Sequence, residues 1–299
     1  MPDDACPASP VDPPDAEFVP GGLVLVSTPI GNLGDVSARA RATLAACDLV
    51  LCEDTRHTAT LLSALGLRAR TEALHEHNED ARIAPVLALL RAGKRVVLVS
   101  DAGTPLLSDP GYRLVRAALA AGLSVSAIPG PNAALTALIL SGLPPVPFLF
   151  LGFPPPRAAA RQAAFGRLRA QEHAGLAATL IWHEAPHRLA ATLADMVTAF
   201  GDRPAAVARE LTKRFEQVHR ARLPDLALRA AGETMRGEMT VLVGPPAAAA
   251  ADAAALDDQL RSALAAGSVK DAAALVSTAT GLPRKLVYAR ALALADQRR

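Results

Sequence analysis

Aromatic residues are scarce in this chain, at 3% of 299 residues, with one Trp, two Tyr and seven Phe. That scarcity argues against the aromatic stacking platforms that hold single-stranded nucleic acids. Cysteine is nearly missing as well. Cys6, Cys47 and Cys52 form no C-x-x-C pair and cannot all pair with one another, so a reduced, cytoplasmic chain is expected. No stretch of about 18 apolar residues runs without a charge, Pro or Gly, which excludes a membrane-spanning helix from the expectations. Residues 1–21 lack the basic start and apolar run of a signal peptide. Their acids and prolines, as in Pro10-Val11-Asp12-Pro13-Pro14-Asp15, predict a disordered tail. The phosphate fingerprints of nucleotide folds are missing too: Gly31-x-x-Gly34 is not G-x-G-x-x-G, and no G-x-x-x-x-G-K-[ST] occurs.

What is present is apolar material for a large core, with 51% hydrophobic and 20% charged residues. The net charge of +2 is unevenly spread. Residues 1–156 carry 11 basic and 15 acidic side chains (−4), residues 157–229 carry 12 and 7 (+5), and residues 230–299 carry 8 and 7 (+1). A basic middle suits a polyanionic partner, and equally an Arg-rich solvated surface.

Short apolar runs at Leu23–Val26, Leu49–Cys52, Arg95–Val99 and Ser124–Ile128 read as strands. They alternate with helical spacing at Ser37–Ala46, Ala59–Leu65, Ile83–Arg91 and Gly111–Ala121. Unbroken apolar strands between amphipathic helices predict a parallel sheet covered on both faces. After a helix at Ala133–Ser141 the pattern changes. Strands at Phe148–Leu151, Ala178–Trp182, Ala205–Ala208 and Met239–Val243, separated by helices and charged segments, predict a second α/β domain with a mixed sheet. An alanine-rich linker at Ala247–Ala255 precedes helices at Leu256–Leu264, Val269–Ser277 and Arg284–Ala295. The expected class is α/β, with domains at 22–133 and 134–246 and a helical appendage over 247–299.

Ligands of open parallel sheets bind beyond the carboxyl ends of the strands. Three strands here end in Gly- and Pro-rich loops: Ser27 to Asp35, Ser100 to Pro105, and Ile128 to Ala133. Glycine lets backbone approach a ligand and proline stiffens the loop. Three such loops with no phosphate fingerprint suit a cofactor that carries an adenosine without phosphates. Two metal-like patterns are discounted. His183-Glu184-Ala185-Pro186-His187 matches H-E-x-x-H, but Pro186 breaks the continuous helix that the zinc motif needs, so His183 is expected to end a strand. His75-Glu76-His77-Asn78-Glu79 has no third ligand at a telling spacing and reads as a polar, substrate-facing loop.

Thr28-Pro29-Ile30-Gly31-Asn32-Leu33-Gly34-Asp35, Cys52-Glu53-Asp54-Thr55-Arg56, Leu74 to Glu79 and Ser100 to Pro105 resemble, in order, the ribosomal RNA small subunit methyltransferase I family of the tetrapyrrole-methylase superfamily. Ser108-Asp109-Pro110-Gly111, Pro129-Gly130-Pro131, Glu184-Ala185-Pro186-His187-Arg188 and Ala208 to Lys213 continue the resemblance over roughly residues 22–245. The helical tail from Gly281 to Tyr288 is similar as well. Two positions depart from the family pattern: Asn132 stands where Ser is usual, and His183 where Tyr is usual. The resemblance implies a tetrapyrrole-methylase-like fold and S-adenosyl-L-methionine as cofactor. It implies methyl transfer to the ribose 2′-oxygen of a cytidine in the decoding region of 16S rRNA, within the small ribosomal subunit, by a homodimer. It also puts the cofactor at Thr28, Pro29, Gly31, Asp101, Ala102, Gly103, Pro105, Pro129, Gly130, Asn132, Ala133, Glu184, Arg209 and Glu210. The alternatives are C-methylation of a tetrapyrrole on the same fold, and a non-catalytic RNA-binding assembly factor.

Methyl transfer to a ribose hydroxyl needs in-line positioning and help for a weak nucleophile. Glu53, Asp54 and Arg56 are the catalytic candidates, against a plainer reading in which the acids cap a helix and pair with Arg56. His75, Arg157, Arg161, Arg188, Lys213 and Arg214 are candidate RNA contacts, along with Arg167 and Arg169.

Overall fold

The computed structural model describes residues 22–233, 236–246 and 253–296, so the tail expected over 1–21 and residues 247–252 of the alanine-rich stretch lie outside it. The chain divides into two compact units. One holds the residues up to Arg169 together with Thr179–Gly244; the other holds Ala170–Ala178 together with Pro245–Arg299.

The first unit contains two five-stranded sheets. Strands β1 (Gly22–Val26), β2 (Leu49–Cys52), β3 (Thr71–Ala73), β4 (Arg95–Val99) and β5 (Val125–Ile128) lie in the order β3-β2-β4-β1-β5, all parallel. The alternation of buried side chains explains why β1 and β2 are apolar along their length and β4 is apolar from Val96 onward. Leu23, Leu49, Leu51, Val96 and Leu98 pack on one face against helices α3 (Glu79–Arg91) and α4 (Tyr112–Ala120). Val24, Val26, Val50, Val97 and Val99 pack on the other against α1 (Ala38–Ala45) and α2 (Thr55–Ala64). β1 and β4 are neighbours at the centre, and their connections leave in opposite directions, one toward β2 and one toward β5. That opens a crevice at their carboxyl ends.

After α5 (Ala133–Ser141) comes the second sheet, built from β6 (Phe148–Phe150), β7 (Thr179–Glu184), β8 (Pro204–Arg209), β9 (Gln217–Arg222) and β10 (Met239–Val243). Its order is β6-β7-β10-β8-β9; β6 runs parallel to β7 and the remaining pairs are antiparallel. Helices α6 (Ala158–His173), α7 (Leu189–Phe200) and α8 (Leu223–Gly232) follow the chain between these strands. Trp182, Phe165 and Phe200 meet in one core. The opposite face packs on α5 and receives Ile30 from the loop after β1. The second unit's α9 (Ala253–Ala266), α10 (Val269–Thr280) and α11 (Arg284–Asp296) bury Leu260, Ala273, Val287 and Ala291 together. Arg290 grips Asp257 with two nitrogens, at 2.7 and 2.6 Å. Among the described residues no helix is long and apolar enough to cross a membrane.

The α/β class and the parallel and mixed sheets agree with the sequence reading. β3 and β9 were not read as strands, and two helices start earlier than their apolar spacing suggests. α2 begins at Thr55 because Asp54 caps it, accepting from the Arg56 amide. α3 begins at Glu79, a buried acid whose carboxylate accepts from the Leu114 amide and pairs with Arg113.

Candidate active site

The three loops at the ends of β1, β4 and β5 are stitched together. Thr28 and Gly103 exchange backbone hydrogen bonds of 2.9 and 3.1 Å, and the Thr28 hydroxyl donates to the Ser100 carbonyl at 3.0 Å. Asn132 ties in the third loop: its amide donates to Thr104 Oγ1 at 3.0 Å, and Thr104 Oγ1 donates to the Pro131 carbonyl at 3.2 Å. The Asn132 carbonyl oxygen also caps α5 at the Leu135 amide, so Asn fills the usual Ser position with a capping group. Gly130 is required here, since a Cβ would lie 2.9 Å from Ser27 Cβ. Thr28, Gly103, Gly130 and Asn132 are thus the frame that fixes the loops; Pro105 is buried in the second loop and Pro129 lies exposed in the third.

Held out by that frame, Asp101 and Ala102 form a wall shared by two adjoining chambers. The larger, about 410 Å³, has apolar sides of Ile30, Ala133, Leu211 and Met239, and polar groups from Asp101, Asp109, His183, Glu184 and Thr240. The smaller, about 300 Å³, is bounded by Pro29, Gly31, Leu33, His57, Thr60 and Lys213. Leu106 (φ 73°) and Ser108 (φ 71°) follow the wall, and Glu210 (φ 50°) and Thr212 (φ 63°) form the turn after β8. Left-handed conformations are uncommon for such residues, and they concentrate around sites held in a set shape. Arg209 precedes that turn with its Nε buried and no partner among the described residues.

Gly31 sets the join between the first loop and the turn. With φ at +153°, a Cβ there would lie 2.3 Å from Lys213 Cγ. Gly31→Val is expected to lower stability by about 1–3 kcal/mol through this clash and the strained φ, while cofactor affinity changes by no more than about threefold, since Gly31 lines only the smaller chamber. Thermal melting and calorimetry on one sample check both; an unchanged melting temperature would show that the turn yields freely.

The candidate catalytic acids separate clearly. Asp54 caps α2, and Arg56 donates to its carboxylate from Nε at 3.3 Å and from a terminal nitrogen at 3.0 Å. The Arg56 hydrogen bonds hold its pKa down to about 2. So acidic a carboxylate is a poor proton acceptor, and the plainer reading holds for Asp54 and Arg56. Glu53 differs: burial first, then the negative charges of Asp101 and Asp109, raise its pKa. A raised folded-state pKa means that the folded protein binds more protons than the unfolded chain in the interval between the two values. Stability then falls as pH rises through that interval. Glu53→Gln is therefore expected to raise the melting temperature at pH 7, with the gain vanishing below about pH 4, under the ordinary carboxylate pKa. A melting series from pH 3 to 8 measures it, and a gain that persists at pH 3 contradicts this cause.

Glu184 faces the larger chamber but its carboxylate is fully engaged. It accepts from the Ala185 amide, the Thr192 hydroxyl and an Arg188 terminal nitrogen at 3.2 Å, with the Arg188 Nε 3.1 Å away in the ion pair. It is a strut between β7 and α7, with no oxygen left over for a cofactor among these partners. Two of the expected phosphate contacts change in the same way. Arg161 is 4% exposed and tied to Asp195, and Arg188 is held by Glu184 and the Pro154 carbonyl. A guanidinium buried with a carboxylate is not offered to phosphate. Arg157 and Arg214 are exposed, the latter over the Phe215 ring. His75 lies in a loop rather than a strand, edge-on to His77, with its Nδ1 buried and unpartnered among the described residues. Lys213 is not a free surface cation: it lines the smaller chamber, bonded to Glu210 at 3.0 Å and to Glu238 at 3.4 Å.

His183 and Glu184 end β7, and α7 starts only at Leu189, so no continuous helix joins His183 to His187. The His183 ring packs on Phe150 and Phe153, and its Nδ1 shares a hydrogen bond with Thr240. Burial lowers its pKa, which keeps it neutral near pH 7. His183, Thr240, Asp109 and Leu211 come from separate strands and turns, so nothing in the sequence brings them together: there His183 reads as a strand end, Asp109 and Leu211 as parts of motifs, and Thr240 only as part of a strand.

A family profile described as Tetrapyrrole (Corrin/Porphyrin) Methylases matches residues 22–227, and one described as the RsmI C-terminal HTH domain matches residues 250–295. The protein of Mesorhizobium japonicum named Ribosomal RNA small subunit methyltransferase I is 46% identical over 292 residues, covering 97% of this chain and 95% of that one. The chain belongs to the ribosomal RNA small subunit methyltransferase I family. Solved structures add the fold. The methyltransferase CobJ matches at TM-score 0.56 with 20% identity, over 75% of this chain and 94% of its own. A uroporphyrin-III C-methyltransferase from Thermus thermophilus, complexed with S-adenyl homocysteine, matches at TM-score 0.51 with 20% identity, over 74% and 97%. The match to the methyltransferase I relative runs through both sheets and on into the helical unit.

Proposed function

We propose that this protein transfers a methyl group from S-adenosyl-L-methionine to the ribose 2′-oxygen of a cytidine in the decoding region of 16S rRNA, in the small ribosomal subunit. One observation carries the reading: three interlocked strand-end loops present Asp101 and Ala102 to an apolar-sided chamber of about 410 Å³. The chamber suits the cofactor chemically. Ile30, Leu211 and Met239 offer apolar contact to an adenine, Asp101 offers a carboxylate to an ammonium, and no phosphate cradle is needed. The name of the 46% identical relative supports ribosomal RNA as substrate, and the S-adenyl homocysteine of the fold neighbour supports the cofactor.

When bound, the cofactor supplies an electrophilic methyl carbon: the ribose oxygen bonds to it, and the carbon–sulfur electron pair leaves with sulfur. The chain's own residues position and deprotonate. The fixed loops hold the wall in place, which favours in-line approach. Glu53, whose pKa is raised by burial and by the charges of Asp101 and Asp109, lies close to the shared wall and is the proton acceptor in this reading. Arg157, Arg167 and Arg214 are exposed and offered to phosphate in this reading, and His75 stands in the loop after β3. The reading places the protein in the cytoplasm, with its substrate.

A homodimer belongs to the same reading. Leu135 (45% exposed) and Ile139 (76% exposed), one turn apart on α5, and Val146 (80% exposed) present an apolar surface. Ile139→Asp is expected to yield monomers in sedimentation; an unchanged dimer would exclude this face. The function itself is tested by incubating the chain with labelled S-adenosyl-L-methionine and small subunits from cells that lack it. Label recovered as 2′-O-methylcytidine is expected; label on a base, or none, would contradict the reading.

A further inference from the structure

The proposed reading seats the cofactor in the larger chamber and leaves the smaller one, with Pro29 and Gly31 on its wall, to another occupant. We infer that the smaller chamber is the acceptor-nucleoside pocket, taking a flipped-out ribonucleoside, with the Lys213 ammonium directed at its 2′-oxygen. The inference rests on the methyl-transfer reading above and assigns its second substrate a place.

The two chambers meet at Asp101 and Ala102, and share Ile30 and Glu238 as well. The shared lining sets the two chambers side by side, and direct transfer demands that its two substrates adjoin. At about 300 Å³ the smaller chamber sits at the low end of small-ligand pockets, a size suited to one nucleoside. Its sides are mixed: Leu33, Leu61 and Ala64 for a base, and His57, Thr60 and Lys213 for polar edges and the sugar. An enzyme that reacts at the ribose of a structured RNA gains access by extruding the nucleotide into such a pocket.

Lys213 is held for this task. An ammonium has three N–H donors; Glu210 takes one at 3.0 Å and Glu238 a second at 3.4 Å, leaving one for the chamber among the described residues. Gly31 gives room to its stem, and the left-handed Thr212 turns the chain so that the stem crosses Gly31. Burial pulls the Lys213 pKa down, but the hydrogen bond to Glu210 and the charge of Glu238 outweigh it. It stays a cation, suited to steadying the oxygen as its proton leaves for Glu53 and its lone pair forms the bond to carbon.

The test uses the full chain and the variants Lys213→Met, Lys213→Arg and Thr60→Trp, the last placing an indole in the chamber from the exposed side of α2. S-adenosyl-L-methionine affinity by calorimetry is expected to stay within about threefold of the parent in all of them. Methyl transfer to unmodified small subunits is expected to lose roughly 100-fold in kcat for Lys213→Met, about the effect of one oxyanion-stabilising group. Lys213→Arg should recover at least tenfold of that loss, and Thr60→Trp should raise KM. Retained kcat and KM in both Lys213→Met and Thr60→Trp, with melting temperatures intact, would overturn the assignment. Saturation-transfer NMR of cytidine against the chain loaded with S-adenosylhomocysteine is a readout independent of turnover. Signal that disappears in Thr60→Trp supports the pocket, and equal signal in both overturns it. A parent chain that binds cytidine in this way but methylates no subunit would remove the rRNA reading while leaving the pocket in place.

Discussion

Asp101→Ala is expected to weaken S-adenosyl-L-methionine binding by roughly 10- to 150-fold, the equivalent of about 1.5–3 kcal/mol for one hydrogen bond to a charged group. Asp101 stands at the end of the central strand β4, on the wall common to both chambers. One carboxylate oxygen accepts from the Asp54 amide at 3.2 Å, which aims the side chain while leaving the other oxygen free among the described hydrogen bonds. Losing that orienting bond costs little folding energy because the Asp54 amide is only part-buried and water can accept from it, while the Asp54 carboxylate keeps its cap and its ion pair with Arg56. The melting temperature without cofactor should therefore move by only a few degrees, on the scale of an ordinary surface substitution. Calorimetry and melting on the same preparation separate the two. Full affinity in the variant would remove Asp101 from the cofactor's contacts.

Glu184→Ala is expected to act on the opposite quantity. Its carboxylate is wholly buried, and removal strands the Arg188 guanidinium and the Thr192 hydroxyl. Breaking a buried pair from one side costs about 3–5 kcal/mol. At about 2–4 °C per kcal/mol for a unit of this size, melting should fall by roughly 6–20 °C. Glu184→Gln keeps the shape but leaves an amide N–H₂ where acceptors are needed, so it should recover only part of the loss. Cofactor affinity, measured well below the melting temperature, should change far less than in Asp101→Ala. A stable Glu184→Ala protein with lost affinity would reverse the roles given to these two acids.

That contrast marks where sequence is legible and where it is not. β1, β2, β4 and β10 could be read because a strand buried on both faces must be apolar along its length, as in Leu49–Cys52 and Met239–Val243. β9, Gln217–Arg222, could not, since an edge strand facing solvent on its outer side carries the charges that keep edges from pairing. β3 has three residues, too few for a period to emerge. The loops around Asp101 stood out because glycine and proline there are dictated by local backbone needs, as at Gly130 against Ser27. The partners of charged side chains left no such trace. Nothing in the spacing of Arg161 and Asp195, 34 positions apart, announces their hydrogen bond, and the same holds for Lys213 and Glu238, 25 apart. Charge alone suggested phosphate contacts at these positions; tertiary pairing decided otherwise for Arg161 and moved Lys213 into the cleft. His183 shows the reverse. The proline rule correctly removed it from a helix, but its place on the wall of the larger chamber depends on β7 pairing with β10, through Thr240.

The most direct test of the assigned reaction is a map of ribose methylation across 16S rRNA from cells with and without this chain. One decoding-region cytidine should be 2′-O-methylated only when the chain is present, and Asp101→Ala should lower its occupancy. An identical map in both cells would contradict the assignment.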